Sequence, residues 1–302
     1  MTAAGFRVPT REINECLQKK SMRKVRMPND FNTPVIEEFR ANQGKVGGMF
    51  EGARLLLLTT TGARSGRPHT VPLGYLPDGG ERMLVIGSAG GSPRNPAWVH
   101  NLRANPVATV EDGTFTYEVT ATLLAGAERD AVFARAVEQD PGWAEYERSS
   151  GRTLPVFALT VVPGPPRTDA ATPGGMLQLV HDAFRRELAL IRAEVAGSGA
   201  VLGAQLRINC LSLCAGLHGH HVREDEGMFP GVEHLRPDLA PVIQQLRAEH
   251  EIIAGLLEQL RKVLDEPGLQ KEQLAGEVDR LIGELEAHLD HEETALIPVL
   301  NG

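Results

Sequence analysis

The chain has 302 residues, 42% of them hydrophobic, and a formal net charge of −8. That length suits two domains with well-formed cores, and the negative balance argues against nucleic-acid binding. No run of about eighteen apolar residues and no apolar N-terminal signal region are present, which excludes a membrane-spanning helix and points to a cytoplasmic protein.

Residues 1–30 are polar and carry a basic run, Lys19, Lys20, Arg23, Lys24 and Arg26. The run reads either as a surface segment in peripheral contact with an anionic membrane or a cofactor tail, or, more plainly, as a solvated arm. Residues 33–42 suit a short helix with Thr33 as its cap and Pro34 in its first position. Strand signals follow at 54–60, a buried run, and at 69–76. Pro77-Asp78-Gly79-Gly80 then turns the chain into a strand at 82–88. Strands at 106–111 and 114–124 flank Asp112-Gly113, a pair suited to a two-residue hairpin turn. Helices at 96–104 and 128–138 interrupt the set, and 156–162 closes it. Six mostly antiparallel strands with few helices predict a small barrel.

Residues 163–175 are rich in proline, glycine and small residues, a linker signature. The expected division is therefore an arm at 1–30, a barrel domain at 31–165, a linker at 166–175 and a second domain at 176–302. Three cysteines, Cys16, Cys210 and Cys214, make no disulfide framework, in keeping with a reducing compartment. Cys210 and Cys214 read as small buried residues of one helix.

Chemistry in the barrel must come from two loops. The stretch from Thr59 to Pro68 offers hydroxyls, backbone donors, Arg64 and Arg67, a set that suits a phosphate. The stretch from Ser88 to Trp98 runs from a strand end into a helix N-terminus, with glycines that let a ligand approach the backbone. Either loop alone is also ordinary turn chemistry. Taken in order, LTTTGARSGRPHTVPL, SAGGSPRNPAWVHNLRANP and WAEYERSSGRTLPVF resemble the deazaflavin-dependent nitroreductase and quinone reductase family.

That resemblance, over roughly 33–162, implies a split β-barrel that uses reduced coenzyme F420. The related mononucleotide FMN is the alternative cofactor, because related split barrels hold it. The resemblance assigns Arg64, Ser65 and His69 to the cofactor phosphate, and Pro72, Gly87, Ser88 and Ala89 to the deazaflavin ring. It assigns Trp98, His100 and Asn101 to the following helix; the loop read by itself also offers Trp98 as a wall for an aromatic cofactor. Three aromatics of the family's substrate pocket fall at Asp140, Trp143 and Tyr146, and only Tyr146 keeps the tyrosine. Ala89 stands where the family often has Lys. The implied reaction is hydride transfer from the deazaflavin to a small acceptor such as a quinone or nitro compound. Ser88 and Tyr146 are the candidate catalytic residues that stabilise developing charge, Tyr146 being either a proton donor or a packing residue.

The second domain is organised around His220–Pro230 (HHVREDEGMFP) and its echo at His288–Pro298 (HLDHEETALIP). Each reads His-x3-Glu-x5-Pro. A His and a Glu four residues apart share one helix face, and each proline is expected to stop its helix. Core stripes of helical period run through Leu274, Val278, Leu281, Leu285, His288 and Glu292, and through Leu213, Leu217, His220 and Glu224. Two further stripes run through Ile243, Leu246, His250 and Ile253, and through Leu177, His181, Phe184 and Leu188. Four amphipathic helices thus each aim a His at a bundle centre, and two also aim a Glu. Metal ions compensate such buried groups, whereas a lone core His would only hydrogen-bond a neighbour.

This region, about 176–300, resembles the hemerythrin-like (HHE) domain, an all-α four-helix bundle with a non-haem di-iron centre. Carried over by position, the implied ligands of the two irons are His181, His220, Glu224, His250, His288 and Glu292, with the two glutamates bridging. Oxygen-carrying members have a second His four residues after the third-helix His, where this chain has Ala254. One iron then has an open position or takes His221, His218 or His291. Those three lie near the stripe edges and are expected in solvent or behind the ligands. Two functions follow. The chain is an F420-dependent oxidoreductase coupled to a di-iron centre acting on O2, peroxide or NO. Alternatively, it is such a reductase regulated by an iron-binding or oxygen-sensing module. The sequence leaves the oligomeric state open.

Overall fold

The computed structural model describes residues 31–80, 82–164, 167–198, 203–266 and 270–302; the basic arm at 1–30 lies outside them. The first domain opens with α1 (Asn32–Ala41), followed by β1 (Leu55–Thr61), β2 (Pro68–Pro77), β3 (Arg82–Ile86) and α2 (Ala97–Ala104). It continues with β4 (Val107–Glu111), β5 (Thr116–Leu123), α3 (Gly126–Gln139), α4 (Gly142–Ser150) and β6 (Val156–Val161). The six strands close an antiparallel barrel in the order β1-β2-β3-β6-β5-β4.

The unbroken apolar run in β1 follows from burial on both faces. Leu56 and Leu58 point into the barrel with Val85, Val110, Val119 and Phe157, while Leu55 and Leu57 meet Val35 and Phe39 of α1. The same alternation governs β3 and β6. Met83, Val85, Phe157 and Leu159 face inward, and Leu84, Ile86, Val156 and Ala158 meet Val132, Phe133 and Ala136 of α3. Trp98, Val99 and Leu102 of α2 join the barrel's inner core.

Two local expectations are corrected. The β4–β5 connection is not a two-residue turn: Glu111 pairs with Thr116, leaving a four-residue loop. Asp112 explains it, because its Oδ1 accepts from the N–H groups of Thr114 and Phe115, both at 2.8 Å, in place of strand pairing. Helix α4 was not anticipated. It buries only Ser150 and ends at Gly151, which adopts φ 65°, so it offers no apolar stripe to read.

Thr172 caps the first bundle helix by accepting from Gly175 N at 3.1 Å, with Pro173 just inside. The bundle consists of α5 (Pro173–Gly197), α6 (Ala204–Arg223), a short α7 (Phe229–Leu235), α8 (Ala240–Asp265) and α9 (Lys271–Leu300). Neither proline stops its helix as expected. A π turn at Glu224–Met228 precedes Pro230, which sits in the first turn of α7, where no N–H is needed. Pro298 lies within the last turn of α9. Two apolar layers fill the bundle. One holds Leu177, Phe229, Ile243, Leu246 and Leu296; the other holds Leu188, Ile191, Leu213, Leu217, Ile253 and Leu285. The histidine and glutamate layer lies between them in sequence on every helix.

Barrel and bundle meet along a polar seam. Arg54 pairs with Glu187 and Glu194 of α5, Gln205 of α6 donates to Pro77 O at 2.6 Å, and Arg135 of α3 donates to Gln205 Oε1 at 2.8 Å. Among the described residues no helix is long and apolar enough to cross a membrane.

Candidate functional site

The barrel's first loop is shaped by Gly62, whose N–H donates to Arg67 O at 2.8 Å. A Cβ on Gly62 would stand 2.8 Å from the His69 ring, so glycine alone lets Ser65 and His69 come together, at 3.2 Å Oγ to Nε2. Arg64, Ser65 and His69 are all exposed there. Asn101 is buried beneath them. Its Oδ1 accepts from Ala63 N at 2.9 Å and its Nδ2 donates to Thr60 Oγ1 at 3.0 Å, so it positions the loop from below.

The second loop leaves β3 through Gly87, where a Cβ would meet Pro155 at 2.8 Å and Val99 at 2.9 Å. Ser88 is right-handed and Ala89 left-handed, at φ 49°. That alternation turns successive N–H groups to one side, an anion-receiving curve, and the left-handed alanine costs about 1 kcal/mol. Arg152 clasps the loop from behind. Its Nη2 donates to Gly87 O at 2.8 Å and Ser88 O at 2.9 Å, its Nε to Ser92 O at 3.0 Å, and its Nη1 to Asn95 Oδ1 at 2.6 Å. Arg152 went unread in the sequence because nothing near it names its targets, which lie some sixty residues back. Over the loop stands Tyr146 of α4, 40% exposed and edge-on to Trp143 at 6.1 Å between ring centroids. A Cβ on Gly91 would lie 3.5 Å from the Tyr146 ring.

His100 is exposed on α2 and Pro72 is half-buried on β2. Trp98 and Asn101 are both buried, Asn101 being spent on the first loop. Trp98 is 4% exposed and packs edge-on against Phe157, so the barrel core, not a cofactor face, accounts for its surface.

In the bundle, the structure brings two groups together. His181, His220, Glu224 and Glu292 have candidate ligand atoms all within 4.8 Å of one another, as do His221, His250 and His288. The carboxylates join the groups. Glu224 Oε1 is 3.0 Å from His220 Nε2, and its Oε2 is 3.6 Å from His250 Nε2. Glu292 Oε2 is 3.4 Å from His181 Nε2 and 3.6 Å from His288 Nε2. Each glutamate therefore reaches one histidine of each pair.

The site passes a chemical test for cations. His181 Nε2, His220 Nε2, His221 Nε2 and both oxygens of Glu224 and Glu292 are buried without a hydrogen-bond partner. These atoms crowd one another yet point past one another, as groups do that converge on a common third atom. Left unsatisfied, each costs about 1–3 kcal/mol. Burial, then neighbouring His181, pushes His220 down to about 2, and burial with His250 does the same to His221. Burial, then Glu292, pushes Glu224 up to about 10. Burial thus disfavours the charged form of both His220 and Glu224, a penalty that a bound cation would offset.

Outer carboxylates orient the rings. Glu293 accepts from His181 Nδ1 at 2.8 Å and Glu249 from His288 Nδ1 at 2.9 Å, which turns each Nε2 inward. Burial would raise Glu249, but hydrogen bonds from His288 and His291 outweigh it and hold the carboxylate low. His291 belongs to this outer layer. His221 does not fit the expectation for it: it is 5% exposed and lies among the ligand-type groups.

A closed six-stranded barrel joined to a helical bundle with a buried His/Glu centre defines a two-domain α+β protein. Residues 34–161 match F420H(2)-dependent quinone reductase, and residues 172–300 match the hemerythrin HHE cation binding domain. An F420H(2)-dependent quinone reductase of Mycobacterium tuberculosis (strain H37Rv) is 36% identical over 126 residues, covering 40% of this chain and 84% of that protein. A second M. tuberculosis protein, a putative F420H(2)-dependent quinone reductase, is 30% identical over 104 residues, covering 34% of this chain and 87% of its own length. A solved F420-H2 dependent reductase is 39% identical, covering 35% of this chain and 93% of that one, with a TM-score of 0.33. The chain belongs to the F420H(2)-dependent quinone reductase family and carries a hemerythrin HHE domain after it.

Proposed function

We propose that the chain is an F420H2-dependent reductase of quinone-type acceptors whose bundle holds two iron ions and acts on O2, peroxide or NO. The observation that carries the metal half is that Glu224 and Glu292 each reach both histidine pairs. When bound, the deazaflavin supplies a hydride and iron supplies one-electron chemistry with small oxygen- or nitrogen-centred ligands. Arg64, Ser65 and His69 bind the cofactor phosphate, Arg64 through a charge-assisted bond. Pro72, Gly87, Ser88 and Ala89 would line the ring, and His100 and Trp143 would belong to the same cofactor site. Ser88 and Tyr146 hold donors toward the acceptor, and Arg152 and Asn101 fix the two loops. His181, His220, Glu224, His250, His288 and Glu292 bind the irons, Glu293 and Glu249 orient two of the rings, and the apolar layers on either side exclude water.

The polar seam favours a working connection between the domains over mere tethering. A regulatory bundle is the competing reading. Aerobic oxidation of F420H2 by iron-loaded and iron-free protein separates them. Iron-dependent turnover with O2, peroxide or NO is expected. Equal cofactor oxidation with and without iron refutes coupling and leaves the bundle as a regulator or iron-binding module.

A further inference from the structure

We propose that His221 is a ligand of the metal ion held by His250 and His288; the inference rests on the two-iron reading above. Three observations support it. The candidate ligand nitrogens of His221, His250 and His288, on α6, α8 and α9, lie within 4.8 Å of one another. His221 is buried and its Nε2 has no hydrogen-bond partner. The residue one turn after His250 is Ala254, which offers no donor, so nothing else on α8 fills that side.

The adjacent positions of His220 and His221 make this division possible. Neighbours on a helix point about 100° apart. His220 turns toward α5, with its ring 5.2 Å from His181 and 5.2 Å from Phe184. His221 turns the other way, 4.2 Å from His250 and 5.4 Å from His288. One helix thereby serves both ions. A core histidine kept only for packing would satisfy its buried nitrogen, since leaving it unpaired costs about 1–3 kcal/mol.

His221 and His250 lie nearly parallel, 12° apart. Two imidazoles on one ion each hold it in their own plane, so binding there would require the His221 ring to turn out of this stack. An ion at His221, His250 and His288 would be held by three imidazoles, and one at His181 and His220 by two, with Glu224 and Glu292 within reach of both groups, so the pair would be unequal.

The test uses the full chain loaded anaerobically with ferrous iron enriched in the Mössbauer isotope. Wild type is expected to bind two irons and give two distinct quadrupole doublets of equal area. His221→Phe keeps an aromatic ring against His250 but has no nitrogen. It is expected to lose or shift one doublet and to weaken one iron at least about 10-fold against a competing chelator. Adding Ala254→His should restore that iron. His221→Leu replaces the Phe variant should circular dichroism show it unfolded. Two irons of unchanged affinity and unchanged doublets in the variant overturn the proposal for His221 alone. Wild type with fewer than two irons overturns the two-iron reading, and the proposal with it.

Discussion

Arg54→Met is the sharpest test of how the domains are joined. The Arg54 side chain is 7% exposed, while those of Glu187 and Glu194 are 24% exposed. Its Nε donates to Glu187 at 2.9 and 3.1 Å and its Nη2 at 2.6 Å, while Nη1 pairs with Glu194. Burial opposes the charge, yet the two carboxylates hold the guanidinium above its ordinary pKa. Methionine keeps the apolar stem and removes the charge, leaving two like-charged carboxylates at the seam. Removing one partner of a buried pair costs about 3–5 kcal/mol. The residual exposure of the carboxylates lets water recover part of that, so the expected loss is about 2–4 kcal/mol. Urea unfolding would be followed by tryptophan fluorescence, since both tryptophans, Trp98 and Trp143, lie in the barrel domain. Circular dichroism at 222 nm would follow the bundle, because a two-domain chain need not unfold in one step. The variant is expected to show two separated transitions, and adding Glu187→Gln and Glu194→Gln to recover at least half the loss. A loss below about 0.5 kcal/mol, the scale of an ordinary surface change, would refute the reasoning.

Replacing both glutamates proposed to bridge the irons, Glu224→Ala with Glu292→Ala, should empty the bundle of iron and leave F420H2–quinone reductase activity largely intact; full iron content by atomic absorption would sink the ligand assignment. Arg152→Ala removes contacts to Gly87, Ser88, Ser92 and Asn95. It should raise the F420 dissociation constant about 10-fold or more, the equivalent of one or two charge-assisted bonds, and an unchanged titration would show that the loop holds its shape unaided. Burial raises Cys210 from 9.0 to about 12 and Cys214 from 9.0 to about 11. Both thiols should therefore resist alkylation at pH 8 in a Cys16→Ser variant until the protein is unfolded. Because the folded pKa values lie above the unfolded ones, the associated stability is whole below pH 9.0 and is lost as pH rises toward 11 to 12. Rapid labelling of native protein would contradict this.

The parts legible in the sequence were those with a period. The helical stripes through His181, His220, His250 and His288 placed polar groups where apolar ones were due, and the strands of the barrel announced themselves by β-branched and leucine runs bounded by glycine and proline. What stayed hidden depends on contacts between distant residues. Arg54 and Glu187 are 133 positions apart, and no local pattern joins them. Trp98 looked like a ligand wall because an aromatic after a glycine-rich loop so often is one; only the Phe157 contact shows that the barrel claims it. His221 looked peripheral because a strict stripe admits one of two adjacent histidines. Both turn inward when ligand-type groups lie on either side of the helix.

The π turn at Glu224–Met228 settles a conflict of angle. Glu224 and Phe229 are five residues apart and both buried, Glu224 beside His220 and Phe229 nearly parallel to the His250 ring at 5.3 Å. On an unbroken α-helix, positions five apart differ by about 140° of rotation, so one of the two would look outward. Widening a single turn absorbs the difference, and the acidic and aromatic residues face the same interior. The chain thus changes helical phase at the point where a polar layer gives way to an apolar one. A one-residue deletion within 225–228 would leave Glu224 and Phe229 four positions apart, a spacing that shares one face of an ordinary α-helix, so the π turn should disappear while Phe229 and Val232 stay in the layer they now fill.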